Sequence, residues 1–206
     1  REIEIMSLID HPSVLSLTSF SVGKGKLVCD RKSVATDVTY FVMPLAGKGD
    51  LGSYLWQPDS HFSEKMSAFF FKQIVDGVDA IHKWGFVHLD LKPENILITK
   101  YLEARIADFG LSASIEGEDG SGIFVEWRVG SKPYWSPELY NGFEYDGAQA
   151  DLYAVGIILF IMIFGCRPFQ TAENDNPLFS ILMRNPYQFW KSHPVTARRI
   201  EDRTVS

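Results

Sequence analysis

The chain has 206 residues, of which 46% are hydrophobic and 22% are charged, and its formal net charge is −6 at pH 7. This length and composition fit an ordinary globular protein with one sizeable hydrophobic core. The acidic balance excludes a general nucleic-acid binder, because there is no basic surplus to neutralise phosphates. The two cysteines, Cys29 and Cys166, lack metal-ligand spacing, so a reducing, cytoplasmic setting is expected.

The N-terminal part of the chain predicts one helix and two strands. Apolar residues at helical spacing predict a helix over Arg1 to Ile9, and the His11-Pro12 pair ends it. Val14 to Phe20 and Thr39 to Met43 are predicted strands. The polar stretch between them, which contains glycines and lysines, is predicted to be a loop.

A long helix is predicted to begin after Ser63, its N-cap, and to stop at Gly85. The apolar face of this helix is formed by Met66, Phe70, Ile74, Val78 and Ile81. The helix leads into the stretch GFVHLDLKPENILI, residues 85–98. This stretch places two acids, a lysine, a histidine and an amide between two apolar runs.

Two short β-like runs flank residues Lys100 to Glu103, which predicts a β-hairpin. If Ile96 pairs with Ala107, then Asn95 faces Asp108, and facing Cα atoms in an antiparallel pair lie about 5 Å apart. An amide oxygen and a carboxylate would then converge on one point. Such a pair suits Mg²⁺, which keeps water and phosphate oxygens as its other ligands.

Asp90 and Lys92 lie on the loop that leads to Asn95. A carboxylate, a lysine and a metal pair are what phosphoryl transfer needs, to accept the hydroxyl proton and to neutralise phosphate charge. Each residue alone has a plainer interpretation: an aspartate or asparagine is usually a turn residue, and His88 would usually be a core histidine. The joined set favours phosphoryl transfer because several features must coincide in order.

The stretch His88 to Asn95, HLDLKPEN, resembles the catalytic loop of eukaryotic protein kinases. Asp108-Phe109-Gly110 matches the metal-binding DFG motif, and Ser136-Pro137-Glu138 matches the APE motif with serine in place of alanine. Asp151 and Gly156 look like the start of the family's long central helix. The resemblance implies an α+β, protein-kinase-like fold with a mostly helical C-lobe and a partial N-lobe sheet.

The resemblance also implies how the chain divides. Residues 1–45 would form a partial N-lobe with helix C and the following strands, and residues 46–206 a C-lobe that is incomplete at its C-terminus. The sequence starts at Arg1 without a Gly-rich loop or a β3 lysine before helix C. We therefore expect these 206 residues alone to show little kinase activity and weak ATP affinity.

The resemblance assigns catalytic roles to individual side chains. Asp90 would be the catalytic base, and Lys92 would contact the γ-phosphate, as in serine/threonine kinases. Asn95 and Asp108 would hold Mg²⁺. Ser131 would lie beside Asp90 and Lys92, where the protein substrate binds.

Other residues would support the site. His88 and Phe109 would belong to an apolar spine, with Met6 above them. Asp151 would brace the backbone of the catalytic loop, although a helix N-cap is the alternative interpretation. Glu138 would form a buried ion pair with an arginine further along, but the context of the C-terminal arginines does not match.

An ATP site is implied as well. The residues assigned to it are Glu2, Met43, Pro44, Ala46, Asp50, Lys92, Glu94, Asn95, Leu97 and Asp108. Met43 would be the gatekeeper and Ala46 part of the hinge, while Asp50 would reach the ribose and Leu97 would form the apolar floor. Glu2 matches the helix-C glutamate, with plain surface charge as the alternative. Glu94 also hints at basic residues near the phosphorylated site.

Leu89 departs from the family pattern, because most regulated kinases have an arginine there that clamps a phosphate on the activation segment. We therefore expect weak dependence on activation-loop phosphorylation. Arg105 remains as a basic partner, and Glu116, Glu118 or Asp119 are the acids expected to pair with it.

The implied function is that of a serine/threonine protein kinase, which transfers the γ-phosphate of ATP to protein hydroxyls with Mg²⁺. The segment Pro168 to His193 resembles the calcium/calmodulin-dependent-kinase-like group. A non-catalytic, kinase-like scaffold or binding module is the alternative, and a regulatory segment outside this chain is expected. The apolar run Tyr153 to Cys166 is shorter than the ~20 residues of a membrane span, so a buried core helix over Gln149 to Phe164 is predicted.

Overall fold

The computed structural model describes residues 2–29, 32–58, 60–115, 124–125, 128–142 and 144–198. The helices are α1 (Glu2–Leu8), α2 (Gly52–Leu55), α3 (Glu64–Lys83), α4 (Pro137–Asn141), α5 (Gly147–Phe164), α6 (Pro177–Arg184) and α7 (Pro186–Ser192). The strands are β1 (Ser19–Cys29), β2 (Lys32–Val42), β3 (Phe86–Val87), β4 (Ile96–Ile98), β5 (Ala104–Ile106), β6 (Ala113–Ser114), β7 (Phe124–Val125) and β8 (Tyr145–Asp146). The strands pair as four antiparallel ribbons, β1-β2, β3-β6, β4-β5 and β7-β8.

The N-terminal helix is confirmed as α1, and the predicted strand Thr39 to Met43 lies in β2 up to Val42, but the first predicted strand and the predicted loop are wrong. Most of the predicted strand Val14–Phe20 is not a strand: Val14 makes only an isolated bridge to Ile106. The apolar residue at position 14 reflects burial in the core, since Val14 is 0% exposed, and not membership of a β-ribbon. The polar stretch predicted as a loop instead forms most of β1 and β2, whose register shifts mark bulges that bend the ribbon.

The long helix is confirmed as α3, which Ser63 caps by accepting a hydrogen bond from the Met66 N–H at 3.2 Å. Its apolar face is buried at Phe70, Ile74, Val78 and Ile81. Met66 is the exception, since it lies in the first turn and is 42% exposed. Gly85 follows the helix with φ +79°, a left-handed conformation that turns the chain into β3.

The predicted hairpin is confirmed as β4-β5, but its predicted register is wrong by one residue. Ile96 pairs with Ile106, so Asn95 lies opposite Ala107, whose N–H donates to the Asn95 carbonyl at 2.9 Å. Asp108 is therefore one position beyond the residue that faces Asn95.

The shift in register originates in the turn between the two strands. The Thr99 N–H donates to the Glu103 carbonyl oxygen at 2.9 Å. The Leu102 N–H donates to the Thr99 carbonyl oxygen at 3.0 Å. Leu102 has φ +64°, which is typical of a three-residue hairpin loop with one left-handed residue. A leucine gives no sequence signal for that conformation, since glycine or asparagine usually occupies it.

The predicted core helix is confirmed as α5, which begins at Gly147, two residues earlier than expected. Asp146 caps it by accepting from the N–H groups of Ala148 and Gln149 at 2.8 and 3.3 Å. Among the residues that the structure describes, α5 alone is long and apolar enough to cross a membrane by length and composition. Ile158 and Ile161 are fully buried in the main core, which supports the interpretation as a core helix.

The C-terminal helices pack on α5 through aromatic rings. The Phe160 ring lies 6.0 Å from the Trp190 ring and 5.2 Å from the His193 ring, measured between centroids. His193 is only 3% exposed, and its Nε2 lies 3.3 Å from the carbonyl oxygen of Arg167. This contact fixes the backbone just after α5.

Short ribbons beside dominant helices confirm the predicted α+β class.

Candidate active site

Asp151 in α5 anchors the backbone of the predicted catalytic loop. Its carboxylate accepts hydrogen bonds from the backbone N–H groups of His88 and Leu89, both at 2.8 Å, and contacts the His82 Nε2 at 2.9 Å. Asp151 is 1% exposed, and a buried carboxylate is tolerated only with such partners. The N-cap of α5 is Asp146, so the alternative N-cap role for Asp151 is excluded.

The anchored backbone is in an uncommon conformation. Leu89 has φ +65°, in the left-handed region that a branched side chain rarely adopts. The two hydrogen bonds that the Asp151 carboxylate accepts hold this conformation in place, and the Asp90 N–H donates to the His88 Nδ1 at 3.2 Å. This strained turn immediately precedes Asp90.

Asp90 is the hub of a polar cluster. Its Oδ1 accepts both the N–H and the hydroxyl of Ser131, at 2.9 and 2.8 Å, and its Oδ2 accepts from the Lys92 Nζ at 2.6 Å. Lys92 also donates to the Ser131 hydroxyl at 3.0 Å, which closes a triangle of three side chains. Asp90 is 9% exposed, so its charge is compensated almost entirely by these groups.

Gly130 allows Ser131 to approach this close. It has φ +86°, and a Cβ placed on it would overlap the carbonyl oxygen of Leu89 and lie 3.4 Å from the Asp90 Oδ1. Only a residue without a side chain fits between the loop and the segment that carries Ser131. The role of Gly130 was not predicted from the sequence, because nothing local indicates that residues forty positions apart meet there.

The two predicted metal ligands, Asn95 and Asp108, flank the β4-β5 hairpin. The Asn95 Nδ2 donates to the Asp90 carbonyl oxygen at 2.9 Å and to its Oδ2 at 3.3 Å. Within the described residues the Asn95 Oδ1 accepts no hydrogen bond, so it is available to a cation.

Asp108 is exposed and has φ +66°, and among the described residues its Oδ1 accepts only the Gly110 N–H, at 3.4 Å. The described residues contain no group of three or more His, Cys, Asp or Glu side chains placed to hold a metal. An amide and one carboxylate therefore fit a Mg²⁺ that takes its remaining ligands from phosphate and water. The donor chemistry agrees with the prediction, although the two residues do not face each other in the hairpin.

The predicted spine residues are buried next to this loop. His88 is 0% exposed, its Nε2 lies 3.0 Å from the Ala107 carbonyl oxygen, and its ring centroid lies 5.2 Å from that of Phe109. Met6 and Phe109 belong to the same core cluster. His88 thus links the catalytic loop to the segment that carries Asp108.

The predicted ATP-site residues lie in the chain segment after β2 and along β4. Met43, Pro44 and Ala46 follow β2, and the Ala46 carbonyl oxygen accepts the N–H of Gly49 at 3.2 Å. The Asp50 carboxylate accepts from the N–H and hydroxyl of Ser53, at 2.8 and 2.6 Å, so it stabilises the first turn of α2.

The remaining predicted ATP-site residues lie on three elements. Leu97 lies in β4, where it pairs with Arg105 and bridges to Asp50. Glu2 is half-buried in the first turn of α1, and no ion pair of its carboxylate occurs within the described ranges. Glu94 is exposed and accepts a hydrogen bond from the Trp56 Nε1 at 2.7 Å. The binding roles of these residues remain predictions.

Leu89 packs into a second apolar cluster. The buried members of this cluster are Val87, Leu89, Ala113, Leu139, Tyr145 and Ala150, with Ile115, Val129, Trp135 and Ala148 partly buried against it. Leu89 itself is 8% exposed. At this position the predicted catalytic loop therefore packs in one cluster with apolar side chains of β6 and α4.

Two ion pairs were also predicted, one for Arg105 and one for Glu138. Arg105 lies in β5 and pairs with Glu103 at 3.1 Å, while the acids expected to pair with it, residues 116, 118 and 119, lie outside the described residues. Glu138 has no ion pair with an arginine in the part of the chain that the structure describes. Burial raises the pKa of Tyr145 to about 12, and the charges of Asp151 and then Glu138 add to this effect.

Comparison with known proteins identifies this arrangement. Residues 1–203 match the family model described as a protein kinase domain. The chain is a member of the protein kinase family. The resemblance that the sequence motifs carried is thereby confirmed, and so is the kinase-like α+β fold.

The kinase domain also matches individual relatives. It is 38% identical to NUAK family SNF1-like kinase 1 of Mus musculus over 176 residues, which cover 85% of this chain and 24% of that relative. It is 32% identical to CBL-interacting serine/threonine-protein kinase 5 of Arabidopsis thaliana over 200 residues, which cover 97% of this chain and 41% of that relative. This kinase domain therefore spans between 24% and 41% of the length of these curated relatives.

Proposed function

We propose that this kinase domain transfers the γ-phosphate of ATP to serine and threonine hydroxyls of proteins. The observation that carries the proposal is the triangle of Asp90, Lys92 and Ser131, in which one buried carboxylate contacts an ammonium and a hydroxyl. Family membership and relatives named as serine/threonine kinases support the same reaction. The non-catalytic scaffold has no comparable support.

In this proposal Asp90 orients the substrate hydroxyl and accepts its proton. The carboxylate is fixed through both of its oxygens, so it does not have to be reorganised when substrate arrives. Lys92 holds a positive charge 2.6 Å from Asp90, where it can contact the phosphoryl group that is transferred. Ser131 positions the segment on which the protein substrate lies.

Mg²⁺ and ATP are the cofactor and co-substrate of the proposed reaction. Asn95 and Asp108 would hold Mg²⁺, which when bound neutralises charge on the phosphates. The Asn95 Oδ1, which accepts no hydrogen bond from any residue that the structure describes, and the exposed carboxylate of Asp108 support this assignment.

The adenosine part of ATP would lie against the chain segment after β2. Met43, Pro44 and Ala46 would contact the base, with Leu97 beneath it. Asp50 would exchange its bond to Ser53 for the ribose, and Glu2 would pair with a lysine of the N-lobe. The interpretation of residues 1–45 and 46–206 as parts of two lobes rests on the same resemblance.

The setting is proposed to be cytoplasmic, since neither Cys29 nor Cys166 forms a disulfide. A regulatory segment or partner outside this chain is part of the proposal, in keeping with relatives whose names describe them as CBL-interacting.

Phosphate transfer from labelled ATP to matched serine, threonine and tyrosine peptides tests the proposed function, with the full-length protein in Mg²⁺ or in EDTA. We expect transfer to serine and threonine peptides in Mg²⁺ only. Transfer to tyrosine alone, or transfer that is unchanged in EDTA, would overturn the assignment. Nucleotide binding without transfer to any peptide would favour a scaffold.

A further inference from the structure

A second cluster of polar and aromatic side chains lies next to the Asp90 triangle. We call it the Arg167 cluster, and its members are Trp56, Glu94, Tyr134 and Arg167. Glu94 is exposed in the turn Pro93–Asn95, two residues after Lys92, and its Oε1 accepts the Trp56 Nε1–H at 2.7 Å. Tyr134 is 6% exposed and follows Ser131 in the chain by three residues.

Arg167 lies across the two aromatic rings of this cluster. Its guanidinium carbon is 5.0 Å from the centroid of the Trp56 ring and 5.7 Å from that of the Tyr134 ring. A planar guanidinium stacks well on aromatic faces, so both contacts favour this placement. The Arg167 backbone is fixed as well, because its carbonyl oxygen lies 3.3 Å from the His193 Nε2.

Glu94 and Arg167 carry opposite charges, and both charges act on the Tyr134 phenol. Burial, the largest cause, and the charge of Glu94 raise the pKa of Tyr134 to about 12, whereas the charge of Arg167 acts in the opposite direction. Tyr134 lines the same small cavity as Asp90 and Ser131, so the cluster lies beside the proposed catalytic base. Glu94 and Arg167 do not form a direct ion pair within the described residues, so Arg167 acts through its field and through the rings it covers.

Glu94 alone would attract a basic side chain of the substrate. We propose that Arg167 is a specificity-determining residue that makes this subsite reject basic side chains, so that the substrate segment beside Glu94 is neutral or acidic. A lysine or arginine drawn to Glu94 would find the faces of Trp56 and Tyr134 already covered by a cation, and would be repelled by it. The inference rests on the proposed function, and it reverses the expectation from Glu94 alone.

The test measures the binding of labelled serine peptides by fluorescence anisotropy to the full-length protein without ATP. A peptide series carries arginine or glutamine at one position at a time on each side of the serine. We expect the wild type to bind no arginine peptide more tightly than its glutamine counterpart. Arg167→Gln and Arg167→Met remove the charge, and each should create a preference for arginine at one position of about threefold or more.

Two variants serve as matched controls. Arg167→Lys keeps the charge and should behave as the wild type, and so should Arg184→Gln, which removes an exposed arginine at the end of α6. Adding Glu94→Gln to Arg167→Gln should abolish the new preference, because the attracting charge is then gone. A purely structural role of Arg167 would weaken both peptides of a pair equally and leave their ratio unchanged.

The outcomes separate this inference from the proposed function. A wild-type preference for arginine beside the serine overturns the role of Arg167, even if a variant fails to fold. An unchanged ratio in both Arg167→Gln and Arg167→Met overturns it too. Absence of phosphate transfer to every peptide counts instead against the proposed function, since the binding ratios are measured without transfer.

Discussion

Asp151, deep in α5, accepts the backbone N–H of Leu89 at 2.8 Å while Leu89 holds a left-handed φ of +65°. A core helix thus fixes an unfavourable backbone conformation at the residue just before the proposed catalytic base. The same carboxylate holds the His88 N–H and contacts the His82 ring. The geometry of the active site therefore depends on a charge that is 1% exposed.

Replacing Asp151 should lower both stability and activity. In Asp151→Asn one of the two oxygens becomes an NH₂ group, which cannot accept, so at least one backbone N–H of the loop loses its partner. We expect the free energy of unfolding in urea to fall by about 2–4 kcal/mol. The control is Asp79→Asn, which removes an exposed pair with Lys83 and should cost about 0.5 kcal/mol or less. Equal losses in the two variants would refute the bracing role.

Gly130 should tolerate no side chain. In Gly130→Ala the new Cβ meets the Leu89 carbonyl oxygen, so Ser131 must move away from Asp90. We expect a loss of at least about 2 kcal/mol in the free energy of unfolding and a marked loss of phosphate transfer. Gly23→Ala is the matched control, because Gly23 also has positive φ but has nothing within 4 Å of its added Cβ. It should cost only about 1 kcal/mol. Comparable effects at both glycines would mean that the close approach is unimportant.

Acidification should destabilise the protein through His193. Burial lowers the pKa of His193 below its ordinary 6.5, whereas the Arg167 carbonyl favours the protonated form to a smaller extent. The unfolded chain therefore binds more protons than the folded one between the lowered pKa and 6.5, so this group's contribution to stability is complete above that window and is lost as pH falls through it.

Urea unfolding at several pH values between neutral and mildly acidic conditions measures this effect. The wild type should lose stability towards low pH more steeply than His193→Gln, in which no ring titrates. His61→Gln, at an exposed position, should keep the wild-type slope. If the slope for His193→Gln equals that of the wild type, His193 is not responsible.

Removal of phosphate should leave the kinase activity nearly unchanged. Leu89 lies in an apolar cluster, at the position where an arginine would otherwise clamp a phosphate on the activation segment. Packing of Val129 and Trp135 against this cluster can order the segment without added charge. Phosphatase treatment of the full-length protein, followed by the peptide assay, should change the rate by less than about twofold. A collapse of activity would contradict this account.

The proximity of Asp90, Lys92 and Asn95 was easier to predict from the sequence than the register of the hairpin. Asp90, Lys92 and Asn95 lie within six residues of one another, so their proximity follows from the chain itself, and their hydrogen bonds confirm it. The hairpin register was missed because Leu102 adopts a left-handed turn for which leucine gives no signal. A one-residue slip is enough to move Asp108 out of line with Asn95.

Contacts between distant parts of the chain were the least predictable. Gly130 meets Leu89, and Arg167 covers Trp56, only because the core brings separate segments together. The ribbon β1-β2 was missed for a different reason. Its exposed polar residues resemble a loop in composition, while buried Val14 and Leu15 resemble a strand.

The most direct test of the central claim, that Asp90 is the base of a phosphoryl-transfer site, compares Asp90→Asn with the wild type in the full-length protein. The substitution nearly preserves shape and removes the group that accepts the hydroxyl proton. We predict that kcat for a serine peptide falls by about 10²–10⁴-fold, while the affinity for ATP with Mg²⁺ changes little. Transfer by Asp90→Asn at the wild-type rate would contradict the claim.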